Sequence, residues 1–436
     1  MNPLLVLANP PPDDRPDHEA LPLLRKAWRG IVPDPLRQRI YRLRRSHRVA
    51  RQSSPTLTLP LDRLLLGDQG GVPANQYAQL TGDWLYPSTP IAGSPHVALL
   101  RDYEQHGEDV LAESFLATTA YYRLVADCIR VTGSYRDATR ASEAGAVARR
   151  YLDDFRADKG RPAADRSHRT RPIEVRAIAH SDCFQVIEGH HRAAMAHRFG
   201  ESTIPAIVRE QPVLTPLQAV LLSGTWLQGR FELYQPVDSP ELTKRWELVR
   251  RCRDRVGKMQ QFLKQHGLMP PATTSYLDVG SAYGWFVKQM ADAGFAAYGT
   301  DRDPSAAMVG RIVYGIDESK IAVEDLVHFL RRQEQQYDVV SNMSVVHHYA
   351  MRSQGIGANE VAKLLDKVTR RVLFFETGQE HEKWYRGALD GWNADYIESW
   401  LKQNTSFARI ERLGIDQDGV DDFEGNYGRM LFACWR

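Results

Sequence analysis

The stretch "SYLDVGSAYGWFVKQMADAGFAAYGTDRD", residues 275–303, constrains the fold more than any other part of the chain. Its apolar start predicts a strand over 276–279, followed by a turn through Asp278-x-Gly280-x-x-x-Gly284. A helix to about 293 and a second strand ending at Asp301 complete a βαβ unit. Glycines let the backbone pass close to a ligand, and an acid at the end of the second strand accepts hydrogen bonds from ribose hydroxyls. A dinucleotide site needs G-x-G-x-x-G, so that a pyrophosphate can sit at the helix N-terminus. Here Asp278 precedes the first glycine, and the third close-approach glycine is absent.

Further strands follow in order. "IAVEDL" (321–326) reads as a third, "YDVVSNMSVVHHY" (337–349) as a fourth with its loop, and "RVLFFETG" (371–378) as a fifth. "RIERLGI" and "RMLFACWR" can close the sheet as an antiparallel pair. Such alternation predicts a doubly wound parallel sheet. Over about residues 240–436 the chain resembles the class I S-adenosylmethionine-dependent methyltransferases, whose first motif is D-x-G-x-x-x-G. The resemblance implies S-adenosylmethionine as cofactor. It assigns cofactor contacts to Asp278, Gly280, Ser281, Tyr283, Gly284, Asp301 and Asn342, and an adenine contact to Glu324 or Asp325.

A sulfonium already carries a good leaving group, so such an enzyme mainly aligns an acceptor and manages its proton. His347 and His348 stand at the carboxyl end of the fourth strand, where open α/β sheets bind ligands. With an ordinary pKa near 6.5, either suits a general base for a hydroxyl acceptor. Equally, one can pack and the other cap a helix. His348 is preferred, because glycan- and small-molecule-acting relatives often carry a histidine there. DNA amino-methyltransferases show [DNS]-P-P-[YFW] after this strand; "SNMSVVHH" has no proline, which argues against base methylation. Glu376, His381, Glu382 and Trp384 in "ETGQEHEKWYR" fall on the expected acceptor side, a polar cluster with an aromatic plate that suits a sugar.

A second motif lies upstream, in "FQVIEGHHRAAMAHRFGESTIPAIV", residues 184–208. Adjacent histidines on a helix point about 100° apart and rarely share one ion. A strand, then Glu188-Gly189, then His190-His191-Arg192 opening a helix fits a phosphate better. Glycine allows close approach, the histidines donate, Arg192 clamps, and Glu188 offers an oxygen ligand to Mg²⁺. Residues 171–209 resemble the ParB/sulfiredoxin-like family, with its strand–(D/E)G-x-x-R–helix–Gly–"IP-x-x-V" core. His190 replaces the sulfiredoxin cysteine, and neither G-E-R-R nor a clear helix-turn-helix marks a DNA-partitioning member. The free serine kinases of this fold remain. They imply ATP or another nucleotide with Mg²⁺, a phosphate on Gly189–Arg192, and an upstream catalytic glutamate, for which Glu143 is the candidate beside Glu188.

The expected organisation is therefore α/β: a flexible, basic amphipathic arm (1–54), a smaller α+β ParB-like nucleotide-binding domain (55–211), a helical linker or cap (212–270) and a Rossmann-like methyltransferase domain (271–436). One long helical stretch is expected over about 97–131, and "WELVRRCRDRVGKMQQFLKQHG" is the clearest helix of the linker. Within 21–51, ten basic residues face Asp34 alone. This arm reads as a solvated segment or as a helix on an anionic membrane surface, with nucleic acid the weaker third option. Four scattered cysteines give no disulfide framework, and no span of about 18 apolar residues exists. A cytoplasmic protein, peripheral at the inner face of the membrane, is expected. Its expected activity is phosphorylation, methylation or both on a hydroxylated acceptor such as a bacterial surface glycan. The alternative is a small-metabolite methyltransferase whose ParB-like domain only binds nucleotide or nucleic acid.

Overall fold

The computed structural model describes residues 55–224, 230–270, 274–352 and 355–436. The basic arm, with its expected membrane-facing stretch 21–51, lies outside the described residues. The chain divides into two compact units, Met1–Val213 and Leu214–Arg436.

In the first unit, β1 (Thr56–Pro60), β2 (Leu64–Leu65), β3 (Ile173–Ile178), β4 (Phe184–Glu188) and β5 (Thr203–Val213) form a mixed sheet in the order β1-β5-β3-β4-β2. The expected long helix over 97–131 is three helices, Pro95–His106, Glu113–Leu116 and Ala120–Thr132. Gly107 ends the first at φ +62°, a conformation that glycine reaches at no steric cost. Ser94 caps Pro95–His106 by accepting from the Val97 N–H, and Thr119 caps the third through Tyr122. Together with Ala144–Lys159 these helices bury one core around Leu99, Leu100, Val125, Tyr151 and Phe155 against Ile173, Val175 and Val186.

The second unit holds a short parallel pair, β6 (Glu232–Leu233) and β7 (Glu247–Leu248), and a seven-stranded sheet. That sheet comprises β8 (Ser275–Val279), β9 (Ala296–Asp301), β10 (Ile321–Val323), β11 (Tyr337–Met343), β12 (Thr369–Glu376), β13 (Arg409–Ile415) and β14 (Met430–Trp435). Its order is β10-β9-β8-β11-β12-β14-β13, parallel except for β14, which runs antiparallel to both β12 and β13. The order reverses between β8 and β11, the switch point at which open sheets bind ligands.

Strand periodicity assigns alternate residues to opposite faces. Leu277, Val279, Val340, Leu373, Phe375 and Phe432 bury against the helices Leu326–Arg332, Ala358–Val368 and Ala394–Asn404. Tyr276, Val339, Val372, Phe374 and Leu431 form the other core with Val256, Met259, Phe262 and Leu263 of the helix Arg253–Gln265. Of the segment 212–270, expected as a helical linker or cap, the last helix covers one face of the sheet. The helix expected across "WELVRRC" begins only at Arg253, because Cys252 takes a left-handed conformation at φ +62° and Glu247–Leu248 is extended.

Candidate active site

The glycine loop after β8 is shaped by two backbone positions. Gly280 and Gly284 both sit at φ +82°. A Cβ on Gly280 would meet Val345 Cγ2 at 2.4 Å, and one on Gly284 would meet Ile321 Cδ1 at 2.8 Å. Between them Ala282 adopts φ +45°, a strained conformation for a residue with a side chain. Asp301, at the end of β9, receives the N–H of Ala282 at 2.9 Å and of Asp303 at 3.0 Å. A carboxylate has lone pairs to spare for ribose hydroxyls after two such bonds. Burial raises the Asp301 pKa.

Asp278 lies behind the loop, 2% exposed, and accepts from the Ser341 hydroxyl at 2.6 Å. Burial pushes its pKa up to about 7 despite that bond. Asn342 donates to the Val279 carbonyl at 2.9 Å. Its Oδ1, the hydroxyl of Ser281 and that of Thr300 are buried without a protein partner. Such atoms need one, and a polar cofactor over the glycine loop would supply it. The residues present therefore fit S-adenosylmethionine. Tyr283 is buried at the same loop. Gln235 was not legible in the sequence as a site residue. Its side chain donates to the Ser281 carbonyl and accepts from the Trp285 N–H, both at 3.1 Å, clamping the loop from the segment expected to be a linker.

The two acids expected at the adenine have local duties. Glu324 accepts from Arg332 at 2.6–3.1 Å, and that bond lowers its pKa. Asp325 caps the helix Leu326–Arg332 through the N–H groups of Val327 and His328.

The twin histidines at the end of β11 separate cleanly. His347 is 2% exposed, and its Nδ1 accepts from the Gly378 N–H at 3.1 Å. Burial, then the charges of Arg429 and His348, hold its pKa well below the usual imidazole value. It packs, and the expectation that it could act as base is corrected by that burial. His348 is exposed at the carboxyl end of the sheet. Partial desolvation and the cations Arg302, Arg429 and Arg352 lower its pKa, so it is an unprotonated acceptor at neutral pH.

Below these residues lies a buried ionic cluster that the sequence did not disclose. Arg250, Arg255 and Arg429 are each at most 1% exposed. Glu376 takes all three, Arg429 at 2.9 Å and the other two at 3.1 Å. Asp416 pairs with Arg250 at 2.9 Å, and Asp418 with Arg255 at 2.8 Å. Despite burial, these guanidinium groups hold the Glu376 carboxyl far below the usual range. Glu376 was expected to face the acceptor; it is fully buried and occupied by arginine instead. Ser344, at φ +61°, accepts from Arg250 at 2.9 Å and Arg429 at 2.7 Å, which ties the start of the histidine loop to the cluster. His381 is exposed, with Nε2 at 3.0 Å from the Tyr427 carbonyl, and Trp384 is 44% exposed.

In the first unit, Gly189 has φ +106°, and a Cβ there would strike Ile173 Cγ2 at 2.6 Å. The glycine turn and the helix His190–Arg198 form as expected. The histidines, however, face an aromatic core. His190 is 7% exposed and its Nε2 accepts from the Gly67 N–H at 3.3 Å. His191 Nε2 lies 2.7 Å from the Tyr121 hydroxyl. His96 stacks on His190 at 5.6 Å and meets His191 edge-on at 5.0 Å. Burial, with the nearby Arg192 second, pushes the His190 pKa down to about 4. The expected role of both rings as anion donors is corrected accordingly: His190 accepts rather than donates, and His191 is engaged with Tyr121.

Arg192 donates to the Pro172 carbonyl at 3.3 Å, and Glu188 lies half-buried opposite Glu174 in the strand pair. Glu143, expected as a catalytic base, instead accepts from Arg140 and from the N–H groups of Thr139 and Arg140. Those bonds bring its pKa down to about 2. Among the described residues no group of three or more His, Cys, Asp or Glu could hold a metal ion, and no helix is long and apolar enough to cross a membrane.

Residues 166–224 match the ParB N-terminal domain, and residues 277–372 match a methyltransferase domain. No curated protein matches the sequence. Among solved structures, the chain is similar to the bifunctional kinase-methyltransferase WbdD, at 20% identity and a TM-score of 0.39 over 50% of this chain and 46% of that one. It thus spans under half the length of that protein. It is also similar to magnesium protoporphyrin IX methyltransferase (ChlM) from Synechocystis PCC 6803 with bound SAM, at 20% identity and a TM-score of 0.30, over 42% of this chain and 82% of that one. The SAM-dependent methyltransferase from Agrobacterium tumefaciens gives 14% and 0.32, over 44% and 65%. The ParB N-terminal domain match thus falls mainly in the first unit, and the methyltransferase domain match falls on the seven-stranded sheet of the second.

Proposed function

We propose that the second unit methylates a hydroxyl of a glycan, with His348 as general base. The observation that carries this is the exposed imidazole of His348 at the carboxyl end of β11, next to a glycine loop with unpartnered buried polar atoms. When bound, S-adenosylmethionine supplies an electrophilic methyl group and departs as the thioether. Asp301 holds the ribose, and Gly280, Ser281 and Asn342 line the rest of the loop. His348 takes the proton from the acceptor hydroxyl as the new C–O bond forms, and a base so placed is worth about 10²–10⁴ in rate. The test is His348→Asn assayed against mixed glycans with labelled cofactor: methyl transfer should be lost while cofactor binding persists.

The first unit, on this reading, binds a nucleotide phosphate at the Gly189–Arg192 turn with Mg²⁺ near Glu188, beside an anionic membrane surface met by the arm 21–51. A kinase step on the glycan before methylation is the fuller form. Glu143, spent on Arg140, and His190 and His191, drawn into the core, favour a second form in which the unit binds nucleotide without transferring phosphate. Incubation with ATP, Mg²⁺ and a glycan decides: phosphate incorporation abolished by Arg192→Ala supports the kinase, and binding without incorporation supports the second form.

A further inference from the structure

We propose that the Trp384 indole forms a platform for a sugar ring of the acceptor and that Glu382 is the positioning residue that holds it. The proposal rests on the reading of the second unit as a glycan methyltransferase.

An indole on a surface can satisfy its N–H with water. Here Trp384 Nε1 donates to Glu382 Oε2 at 2.8 Å while 44% of the residue stays open. Glu382 itself is fully buried. Arg429 grips it with Nε and Nη2, each at 2.7 Å, and the Gln379 N–H adds a bond at 2.7 Å. Burying a carboxylate costs several kcal/mol that the guanidinium has to offset. Using one to fix an open ring makes sense where the ring must be in place before a ligand arrives, since preorganised aromatic surface binds at little entropic cost.

The platform leads to the base. Trp384 contacts Tyr427 at 5.2 Å and Tyr385 at 6.3 Å. Tyr385 lies 4.9 Å from His347, and His347 lies 4.2 Å from His348. Gly378 permits this crowding: a Cβ there would meet Tyr385 at 2.6 Å and His347 at 2.9 Å. Ring contacts through Tyr385 and His347 thus link the open indole to the exposed imidazole.

The chemistry of the ligand follows. Sites for small metabolites enclose most of the ligand in an apolar cleft. A half-open indole suits a ring with one apolar C–H face and a rim of hydroxyls that keeps its water, which is a pyranose. Because two rings separate Trp384 from His348, the sugar on the platform is a neighbour of the one that reacts, and the acceptor is an oligosaccharide of at least two units.

Saturation-transfer NMR on the full chain, with the methyl α-glycosides of glucose, galactose, mannose and rhamnose as probes, tests this. Wild type should transfer saturation to the ring C–H protons of at least one probe. Trp384→Ala should abolish transfer, and Trp384→Phe should keep part of it. The Trp384 indole N–H, assigned by its loss in Trp384→Phe, should be shifted and slow to exchange in wild type and ordinary in Glu382→Gln. An S-adenosylmethionine titration of each variant controls for folding. Transfer that is absent from wild type, or equal in Trp384→Ala, overturns the platform. Failure of wild type to bind the cofactor overturns instead the methyltransferase reading on which it rests.

Discussion

The backbone N–H of Gly378 donates to Nδ1 of His347 at 3.1 Å, and that bond separates the functions of two adjacent histidines. His347→Ala should destabilise the second unit by about 1–3 kcal/mol, the cost of orphaning a buried polar group, with catalysis impaired only in proportion to unfolding. His348→Asn should leave the melting temperature unchanged and lower turnover by about 10²–10⁴. Since partial burial, and then the surrounding cations, depress the His348 pKa, the wild-type rate should be on its plateau at pH 7. It should fall only below about 6.5, the ordinary imidazole value. A pH–rate profile with its midpoint above 7 would contradict this assignment.

Gly280 and Gly284 predict a shared defect. Each sits at φ +82° with a side chain where a Cβ would go. Alanine at either position should cost about 1–2 kcal/mol from the left-handed backbone alone, with the clash in addition, and should weaken S-adenosylmethionine binding. Gly82, at φ +77° with nothing near its absent Cβ, controls for backbone strain without crowding: its alanine variant should bind cofactor like wild type. Titration of the three variants reads the difference.

The buried cluster separates ion pairs that matter from those that do not. Glu376→Gln leaves three buried guanidinium groups short of a charge and should cost about 3–5 kcal/mol in denaturant melts. Arg130→Ala breaks a pair whose side chains are 58% and 47% exposed and should cost under about 1 kcal/mol. Equal effects would show that the cluster is not closed to water.

Acid should act with opposite sign on the buried histidines of the first unit and on Asp278 of the second. In the first unit, His190 is held at about 4, and His96 and His191 lie well below their ordinary value. The unfolded chain protonates these groups below about 6.5, so their contribution to stability is complete above that pH and declines as pH falls toward 4. In the second unit, Asp278 takes its proton at about 7 when folded and at about 3.9 when unfolded, so its term gains stability across that fall. Melts from pH 7.5 to 4.5, with the second unit's transition identified by its shift with cofactor, should show the first unit weakening. Asp278→Asn should remove its share of the gain.

What the sequence disclosed was local. The loop Asp278–Gly284 could be placed because glycine at left-handed positions and an acid after the next strand leave a fixed spacing. The strands were legible because buried parallel strands such as "VLFF" are unbroken apolar runs. The Gly189 turn was visible for the same reason. What failed depended on distant partners. Glu376 looked like an acceptor contact because nothing in "FFETG" shows that Arg250, Arg255 and Arg429 converge on it from 53 to 126 residues away. Glu143 is the exception, with local partners: the Arg140 side chain and the N–H groups of Thr139 and Arg140 meet its carboxylate within one turn. His190 and His191 looked like anion donors because His96 and Tyr121, far upstream, supply the core into which they turn. The helix Arg253–Gln265 could be read as linker or as cap because an amphipathic stretch does not reveal which sheet it covers.

On the proposed reading, the second unit holds S-adenosylmethionine between the glycine loop and Asp301, with His348 reserved for chemistry. Calorimetric titration of wild type, Asp301→Ala and His348→Asn with the cofactor tests it most directly. Wild type should bind one equivalent. Asp301→Ala should bind at least about tenfold more weakly, the value of a hydrogen bond to a charged group, and His348→Asn should bind like wild type. No binding by wild type, or undiminished binding by Asp301→Ala, would contradict the account.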